Sequence, residues 1–212
     1  MSVWGRIFAA GYDHIMSGSE KATLRAHREA LIAHARGWVL EIGGGTGANL
    51  PFYEGVEALT LTEPERPMVR RLQRRLREHP APATVVRAPA EDLPFEDDSF
   101  DVVVSTLVLC TVDDQPRAAR ELRRVLKPGG RLLFLEHVRA EDERLARWQD
   151  RLNGLQTRIG HGCNCNRPTV QTITAAGFEI TQLENDVLRK APPIVRPLVV
   201  GVARANGQPA QT

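Results

Sequence analysis

A chain of 212 residues, 42% hydrophobic and 25% charged, has the makings of one soluble globular domain with a sizeable core. Its formal net charge of +2 speaks against a polyanion-binding protein, and its three cysteines are too few, and odd in number, for a disulfide framework. The cysteine count points to a reducing, cytoplasmic setting, and no apolar run reaches the roughly eighteen residues that a membrane-spanning helix needs.

In chain order, Trp4, Phe8 and Tyr12 recur at helical spacing and predict a first helix over 1–16. Its aromatic face either packs over a pocket or core or touches a membrane surface. Ser17-Gly18-Ser19 breaks it, and Ser19 caps a second helix to about Ala35, with Leu24, Leu31 and Ile32 inward. Val39–Ile42 is a first strand; Ala58–Thr62 is a second, ending at Glu63. A helix runs from Pro64 to about Glu78 and carries the arginines of 70–77 on a solvated face. No aromatic residues interleave them, so no nucleic-acid surface is expected.

Thr84–Arg87 is a short third strand, and the β-branched run Phe100–Ser105 is a fourth, buried on both faces. Asp113 or Asp114 caps a helix with Pro116 in its first turn, which ends before Lys127-Pro128-Gly129-Gly130. Arg131–Glu136 is a fifth strand, and a helix follows from Asp142 to about Arg158. An irregular loop spans 160–168, and Thr169 caps a short helix stopped by Gly177. Phe178–Leu183 and Leu198–Arg204 are the final strands, joined by a loop containing Pro192, Pro193 and Pro197. The tail 206–212 is expected to be disordered.

Alternating strands and helices predict a single α/β domain over 1–205, its first 36 residues a helical lid, with a largely parallel sheet and helices on both faces. In such sheets ligands bind at the carboxyl ends of the strands, near the switch in strand order. Gly43–Gly47, Glu63, Ala90–Asp92, Ser105–Thr111 and Glu136–Val138 all lie at such ends.

The most informative stretch is Val39-Leu40-Glu41-Ile42-Gly43-Gly44-Gly45-Thr46-Gly47-Ala48-Asn49. It reads as a strand running into a tight turn and then a helix whose first amides favour electron-rich ligand groups. Glycine lacks a Cβ, so a ligand can lie against such a backbone. Gly43, Gly45 and Ala48 also satisfy the dinucleotide fingerprint, with Glu63 placed to hold a ribose in either case. The loop alone leaves the nucleotide-like cofactor open. Cys163-Asn164-Cys165 lacks two further obvious ligands, and no metal site is expected.

The block Ala90-Glu91-Asp92-Leu93-Pro94-Phe95-Glu96-Asp97-Asp98-Ser99-Phe100-Asp101 decides the cofactor. With the glycine loop and Lys127-Pro128-Gly129-Gly130, it resembles the class I S-adenosylmethionine-dependent methyltransferases of the ubiquinone-biosynthesis-like group, over about residues 10–204. Within that group Gly47-Ala48-Asn49, Phe52-Tyr53, Val104–Cys110, Glu136-His137-Val138, Trp148-Gln149, Gly162-Cys163-Asn164 with Arg167, and Val195-Arg196-Pro197 look like the microsomal thiol S-methyltransferases. Glu63 stands where Asp is commoner, and Pro89 where many relatives carry Asp. Animal members carry an N-terminal membrane anchor that this sequence does not show, so no stable insertion is expected, only peripheral contact.

The resemblance implies a Rossmann-like, seven-stranded, mostly parallel sheet whose last strand is antiparallel. It implies S-adenosyl-L-methionine held by Gly43, Gly45, Gly47 and Asn49, by Glu63 and Pro64, and by Ala90 and Glu91 beside the adenine. Ser105 and Thr106 would border the methionine portion. Glu41 either receives the methionine ammonium or orients the loop; Met68 faces the adenine or the core; Tyr12 is a lid or plain packing. On the acceptor side stand Trp148, Cys163, Asn166 and Arg167, and Arg167 would hold an anionic substrate group or pair with a carboxylate. His137 either takes the acceptor proton or is bonded to Glu136 or the backbone.

The implied reaction is methyl transfer to a small lipophilic acceptor, most often a thiol. The alternatives are N-methylation of a phospholipid amine, C- or O-methylation of a quinone or phenolic metabolite, and a cofactor-binding module without catalysis.

Overall fold

Short β-branched runs separated by amphipathic segments fold into a seven-stranded sheet flanked by helices. The computed structural model describes residues 11, 14–78 and 83–206. The strands are β1 (Gly37–Ile42), β2 (Val56–Thr62), β3 (Ala83–Val86), β4 (Phe100–Thr106), β5 (Leu126–His137), β6 (Phe178–Val187) and β7 (Pro197–Ala205). The helices are α1 (Arg25–Ile32), α2 (Arg66–Glu78), α3 (Gln115–Val125), α4 (Glu143–Ile159) and α5 (Thr169–Ala175). The sheet order is β3-β2-β1-β4-β5-β7-β6. Strands β1 to β5 pair in parallel, and β7 runs antiparallel to both β5 and β6. This is the Rossmann-like sheet expected, antiparallel final strand included.

Two apolar layers hold it. Val103, Leu132 and Phe134 face one layer, with Leu122 and Val125 of α3. Val102, Val104, Leu133 and Leu135 face the other, with Leu31 and Ile32 of α1. Alternate residues of β4 and β5 thus enter opposite cores, which is why both strands read as unbroken apolar runs. Gly201 of β7 keeps room for the Phe134 ring: a Cβ there would come within 2.4 Å of it.

Three local expectations are corrected. The helix does not break at Ser17-Gly18-Ser19; residues 14–19 are helical and pass through a π-helical turn, Glu20–Leu24, into α1. Ser19 is no cap, because its hydroxyl donates to the Arg189 carbonyl (2.9 Å), while Thr23 accepts from the Arg189 amide (3.1 Å). Contacts with the β6–β7 connection outweigh the local breaker. Thr169 likewise lies inside α5 rather than capping it, and its buried hydroxyl accepts from Gln115 Nε2 (3.0 Å). Finally, Lys127-Pro128-Gly129-Gly130 belongs to β5, as an irregularity between the pairs Phe100–Leu126 and Val102–Arg131. Tyr12, the aromatic residues before it and the tail 207–212 lie outside the described residues.

The chain builds outward from β1 through β2 to β3, then crosses to β4 on the other side. The switch point is the crevice beyond the carboxyl ends of β1 and β4. The opposite ends of the strands carry an open hollow lined by Arg36, Glu57, Asp101 and Lys127, among others. There Lys127 pairs with Asp101 at 2.7 Å.

Candidate active site

The loop after β1 bends through three glycines of positive φ: Gly43 (57°), Gly45 (54°) and Gly47 (86°). The Gly44 amide donates to the Thr62 carbonyl (2.8 Å), and the Gly47 amide to that of Gly44 (2.8 Å). The bend is thus tied to the end of β2. The α-helix expected after it does not form; residues 43–55 hold only the 3-10 turn Leu50–Phe52 before β2 begins. Helix-terminal amides therefore contribute nothing here.

The three glycines serve different ends. A Cβ at Gly43 would lie 2.5 Å from Val108, and one at Gly47 would lie 2.7 Å from Leu50. Those two allow close packing. At Gly45 a Cβ would meet only the Gly43 carbonyl oxygen, at 3.7 Å. Gly45 alone of the three opens onto free space.

Beside that opening stands Glu63. It is buried, yet each of its oxygens accepts an amide: Oε2 from Gly45 (3.0 Å) and Oε1 from Glu65 (2.9 Å). Burial raises its pKa, and these two amides pull it back. A carboxylate offers about four acceptor positions, so room remains for a pair of hydroxyls.

Below the bend lies a buried polar network. Glu41 accepts from Asn49 Nδ2 (3.0 Å) and from the Tyr53 hydroxyl (2.7 Å). Arg28, 4% exposed, donates through Nη1 to Asn49 Oδ1 (2.7 Å) and Thr106 Oγ1 (2.9 Å), and Asn49 Nδ2 also reaches Thr106 (3.0 Å). Glu20 accepts from Arg28 Nε at 3.1 Å. Sequence reasoning missed Arg28, though a signal was present. It sits four residues after Leu24 and three before Leu31, so it is a cation on the helix's inward stripe.

Burial pushes the Glu41 carboxyl up to about 7, against the Tyr53 bond, the Arg28 charge and the Asn49 bond, which lower it. An unfolded glutamate titrates near 4.3. Through the interval from about 4.3 to 7 the unfolded chain has released this proton while the folded protein retains it, so stability falls as pH rises. Glu41→Gln keeps the size and the bonding partners. It should match the parent near pH 4 and exceed it above pH 7, by up to about 3 kcal/mol. Urea melts across this range check it; identical pH dependence in the two proteins would refute the assignment.

Ser105, fully buried, turns its hydroxyl to Glu136 Oε1 (2.6 Å) rather than to the crevice. Glu91 spends one oxygen on the Asp113 (2.7 Å) and Asp114 (3.3 Å) amides ahead of α3. Asp114 itself caps α3 through the Arg117 amide (2.9 Å). The Pro64 carbonyl accepts from Arg87 (3.1 Å). Met68 and Ala90 are buried; Ala90 belongs to a core layer and Met68 to neither.

The far wall begins with Leu107, a non-glycine residue at φ 60°, a costly conformation that persists where surrounding structure enforces it. Glu136 enforces the turn that follows. Fully buried, it accepts the amides of Val108 (3.1 Å), Leu109 (3.1 Å) and Cys110 (3.3 Å). Loop 160–168 closes over this turn. The Asn164 amide donates to the Cys110 carbonyl (2.7 Å), and Arg167 Nη1 donates to the Leu109 carbonyl (2.9 Å). Arg167 thus serves the main chain rather than pairing with a carboxylate. Gln149 of α4 ties the same region together, donating to the carbonyls of Val138 (3.1 Å), Cys165 (2.8 Å) and Ile194 (2.9 Å). Cys110, Cys163, Cys165 and Val195 form a small apolar cluster there.

Two acceptor-side expectations need correction. Trp148 lines no pocket: it is 55% exposed on the outer face of α4, whose buried face carries Ala146 and Gln149. Asn166 reaches outward to Asp150 (3.0 Å), which also pairs with Arg139. His137 is buried, and its Nδ1 has no hydrogen-bond partner among the described residues. Burial depresses its pKa to about 4, and the Val195 and Pro197 carbonyls offset this only in part. It does not bond to Glu136.

A mostly parallel sheet of this order, with an open side-chain-free bend and an acid after the next strand, defines a Rossmann-like protein built for a nucleoside cofactor. Residues 40–134 match a family described as a methyltransferase domain. The chain is 38% identical to human thiol S-methyltransferase TMT1B over 173 residues, 78% of this chain and 69% of that protein. It is 36% identical to the ubiquinone/menaquinone biosynthesis C-methyltransferase UbiE of Vibrio parahaemolyticus over 118 residues, 53% of this chain and 46% of that protein. A crystal structure from Thermotoga maritima, of an S-adenosylmethionine-dependent methyltransferase described as a possible histamine N-methyltransferase, superposes with a TM-score of 0.70. It is 22% identical and covers 95% of this chain and 98% of that one, which shows the shared fold. The chain belongs to the family of S-adenosylmethionine-dependent methyltransferases that includes the thiol S-methyltransferases, and S-adenosylmethionine is its cofactor. The opening at Gly45 and the spare acceptor positions of Glu63 fit that group.

Proposed function

We propose that this methyltransferase acts on the sulfur of a small lipophilic thiol. The reading rests on one observation: the carboxylate and the imidazole of the far wall, Glu136 and His137, are committed or weak as bases. Glu136 is spent on the Ser105 hydroxyl and three amides. His137, at a pKa of about 4, is neutral at pH 7 and a poor base. A thiol titrates near 8.5 and supplies its own thiolate, whereas a phenol, near 10, or a ring carbon needs a stronger base at hand. The name of the human relative, thiol S-methyltransferase, supports the same choice.

Bound at the switch point, the cofactor supplies an activated methyl group on a positively charged sulfur. Gly45 would give it room, and Glu63 would accept its ribose hydroxyls. The Arg28–Asn49–Glu41 network would hold the amino-acid end. The turn Val108–Cys110, fixed by Glu136, and the cluster around Cys163 and Val195 would exclude water from an apolar acceptor. Three buried free cysteines suit a reducing compartment such as the cytoplasm.

The test is transfer of labelled methyl from the cofactor to a panel of thiols, amines, phenols and quinols. Transfer to thiols is expected; transfer confined to nitrogen, oxygen or carbon would overturn the proposal. His137→Gln should keep kcat/KM within about threefold of the parent, because so weak a base contributes little. The rate of both proteins should climb with pH as the acceptor ionises, without an inflection near 6.5. Loss of all turnover at every pH in the variant would favour the second reading, carbon methylation of a quinone, to which the likeness to UbiE points.

A further inference from the structure

Methyl transfer gives two thiols of the far wall a packing role but no chemical one. Cys110, in the turn after β4, is fully buried, and Cys163, in loop 160–168, is 8% exposed. Their sulfurs lie 3.9 Å apart and share a hydrogen bond. Main-chain contacts set this proximity: the Asn164 amide bonds the Cys110 carbonyl at 2.7 Å, and Arg167 bonds the Leu109 carbonyl at 2.9 Å. The third cysteine is placed differently. The Cys165 carbonyl is held by Gln149, and burial pushes its thiol up to about 11.

We propose that Cys110 and Cys163 form an oxidation site, in which a hydroperoxide oxidises Cys163 and Cys110 closes a disulfide that clamps loop 160–168 to the crevice wall. The inference does not depend on which acceptor the enzyme uses. Cys163 is the first sulfur to react because it alone of the two has any exposure. The hydrogen bond with Cys110 lowers the Cys163 pKa and raises that of Cys110, so the proton leaves Cys163 first. The Cys163 thiolate takes the terminal oxygen of the hydroperoxide; the O–O bond breaks, and water or an alcohol departs, leaving a sulfenic acid. The Cys110 sulfur then displaces the sulfenic oxygen, which leaves as water with the Cys110 proton. Two thiols lose two electrons, and the hydroperoxide gains them.

The sulfurs must close from 3.9 Å to about 2.05 Å. Glu136 holds the Val108–Cys110 turn by three amides, so the loop does the moving. Two glycines precede Cys163 in that loop, Gly162 at φ 93° and Gly160 at the end of α4. The Gly45 opening and Glu63 lie on the other side of β4 and keep their geometry.

The experiment treats the folded protein with hydrogen peroxide, then counts thiols in denaturant and maps cysteine peptides. The expected result is one free thiol, Cys165, and a Cys110–Cys163 cross-link reversed by dithiothreitol. Cofactor affinity, by calorimetry, should change less than about twofold, while methylation should fall at least about tenfold and return on reduction. In Cys110→Ser a dimedone-reactive sulfenic acid should be trapped at Cys163; Cys165→Ser should still cross-link. A Cys163–Cys165 link, a cross-link between chains, or three intact thiols after peroxide would each overturn the proposal, and the mapping of the parent protein decides it even if a variant misfolds.

Discussion

Gly45→Leu is expected to abolish measurable cofactor binding, lowering affinity at least about 100-fold, while the protein stays folded. The added Cβ has the Gly43 oxygen at 3.7 Å as its one neighbour within 4 Å, so the side chain starts in the space left for a ligand. Its φ of 54° costs a side chain roughly 1–2 kcal/mol, a fall in Tm of about 2–8 °C for a chain of this size. Leu107 shows that leucine tolerates this region of backbone space within this fold. Gly55→Leu is the control: it has the same sign of φ (68°) and nothing within 4 Å, but stands outside the site. It should carry the strain and keep the affinity. Equal affinities in the two variants, read by calorimetry, would remove the bend from the binding site. Gly43→Ala should instead damage the fold, because its Cβ would lie 2.5 Å from Val108.

Glu63→Gln should weaken cofactor binding by about 100-fold, the worth of one or two charge-assisted hydrogen bonds. The substitution conserves shape, yet both carboxylate oxygens already accept an amide, from Gly45 and from Glu65. Whichever way the new amide turns, its NH2 faces an N–H, and one of the two main-chain donors loses its partner. Loss of loop order therefore adds to loss of charge. Glu63→Asp, with its charge intact and its reach shorter, should fall between the parent and Glu63→Gln. Parent-like affinity in Glu63→Gln would show that this carboxylate does not hold the ribose.

Strands were legible because burial on both faces leaves continuous apolar runs, as in Val102-Val103-Val104 and Leu132–Leu135. The bend was legible because glycines at 43, 45 and 47, directly after a strand, mark backbone that side chains disfavour, and all three do have positive φ. Tertiary partners decided the rest. Ser19 would cap a helix if Arg189 were not beside it, and Thr169 would do so if Gln115 were not. Ser105, Glu91 and Arg167 carry the right chemistry for ligands, but each is claimed by a neighbour far along the chain: Glu136, the amides before α3, and the Leu109 carbonyl. Trp148 shows the converse case. An aromatic on a helix suggests a pocket, and only the rotation of α4, set by Ala146 and Gln149, turns it outward.

The reach of Arg28 has a thermodynamic consequence. This one guanidinium joins the helical segment before β1 to Asn49 beyond the bend and to Thr106 at the end of β4. On the proposed placement of the cofactor's amino-acid end at this network, ligand occupancy and the docking of that segment become linked functions: whatever loosens the segment would lower the apparent affinity, and saturation with ligand would make the segment's opening rarer by the same free energy.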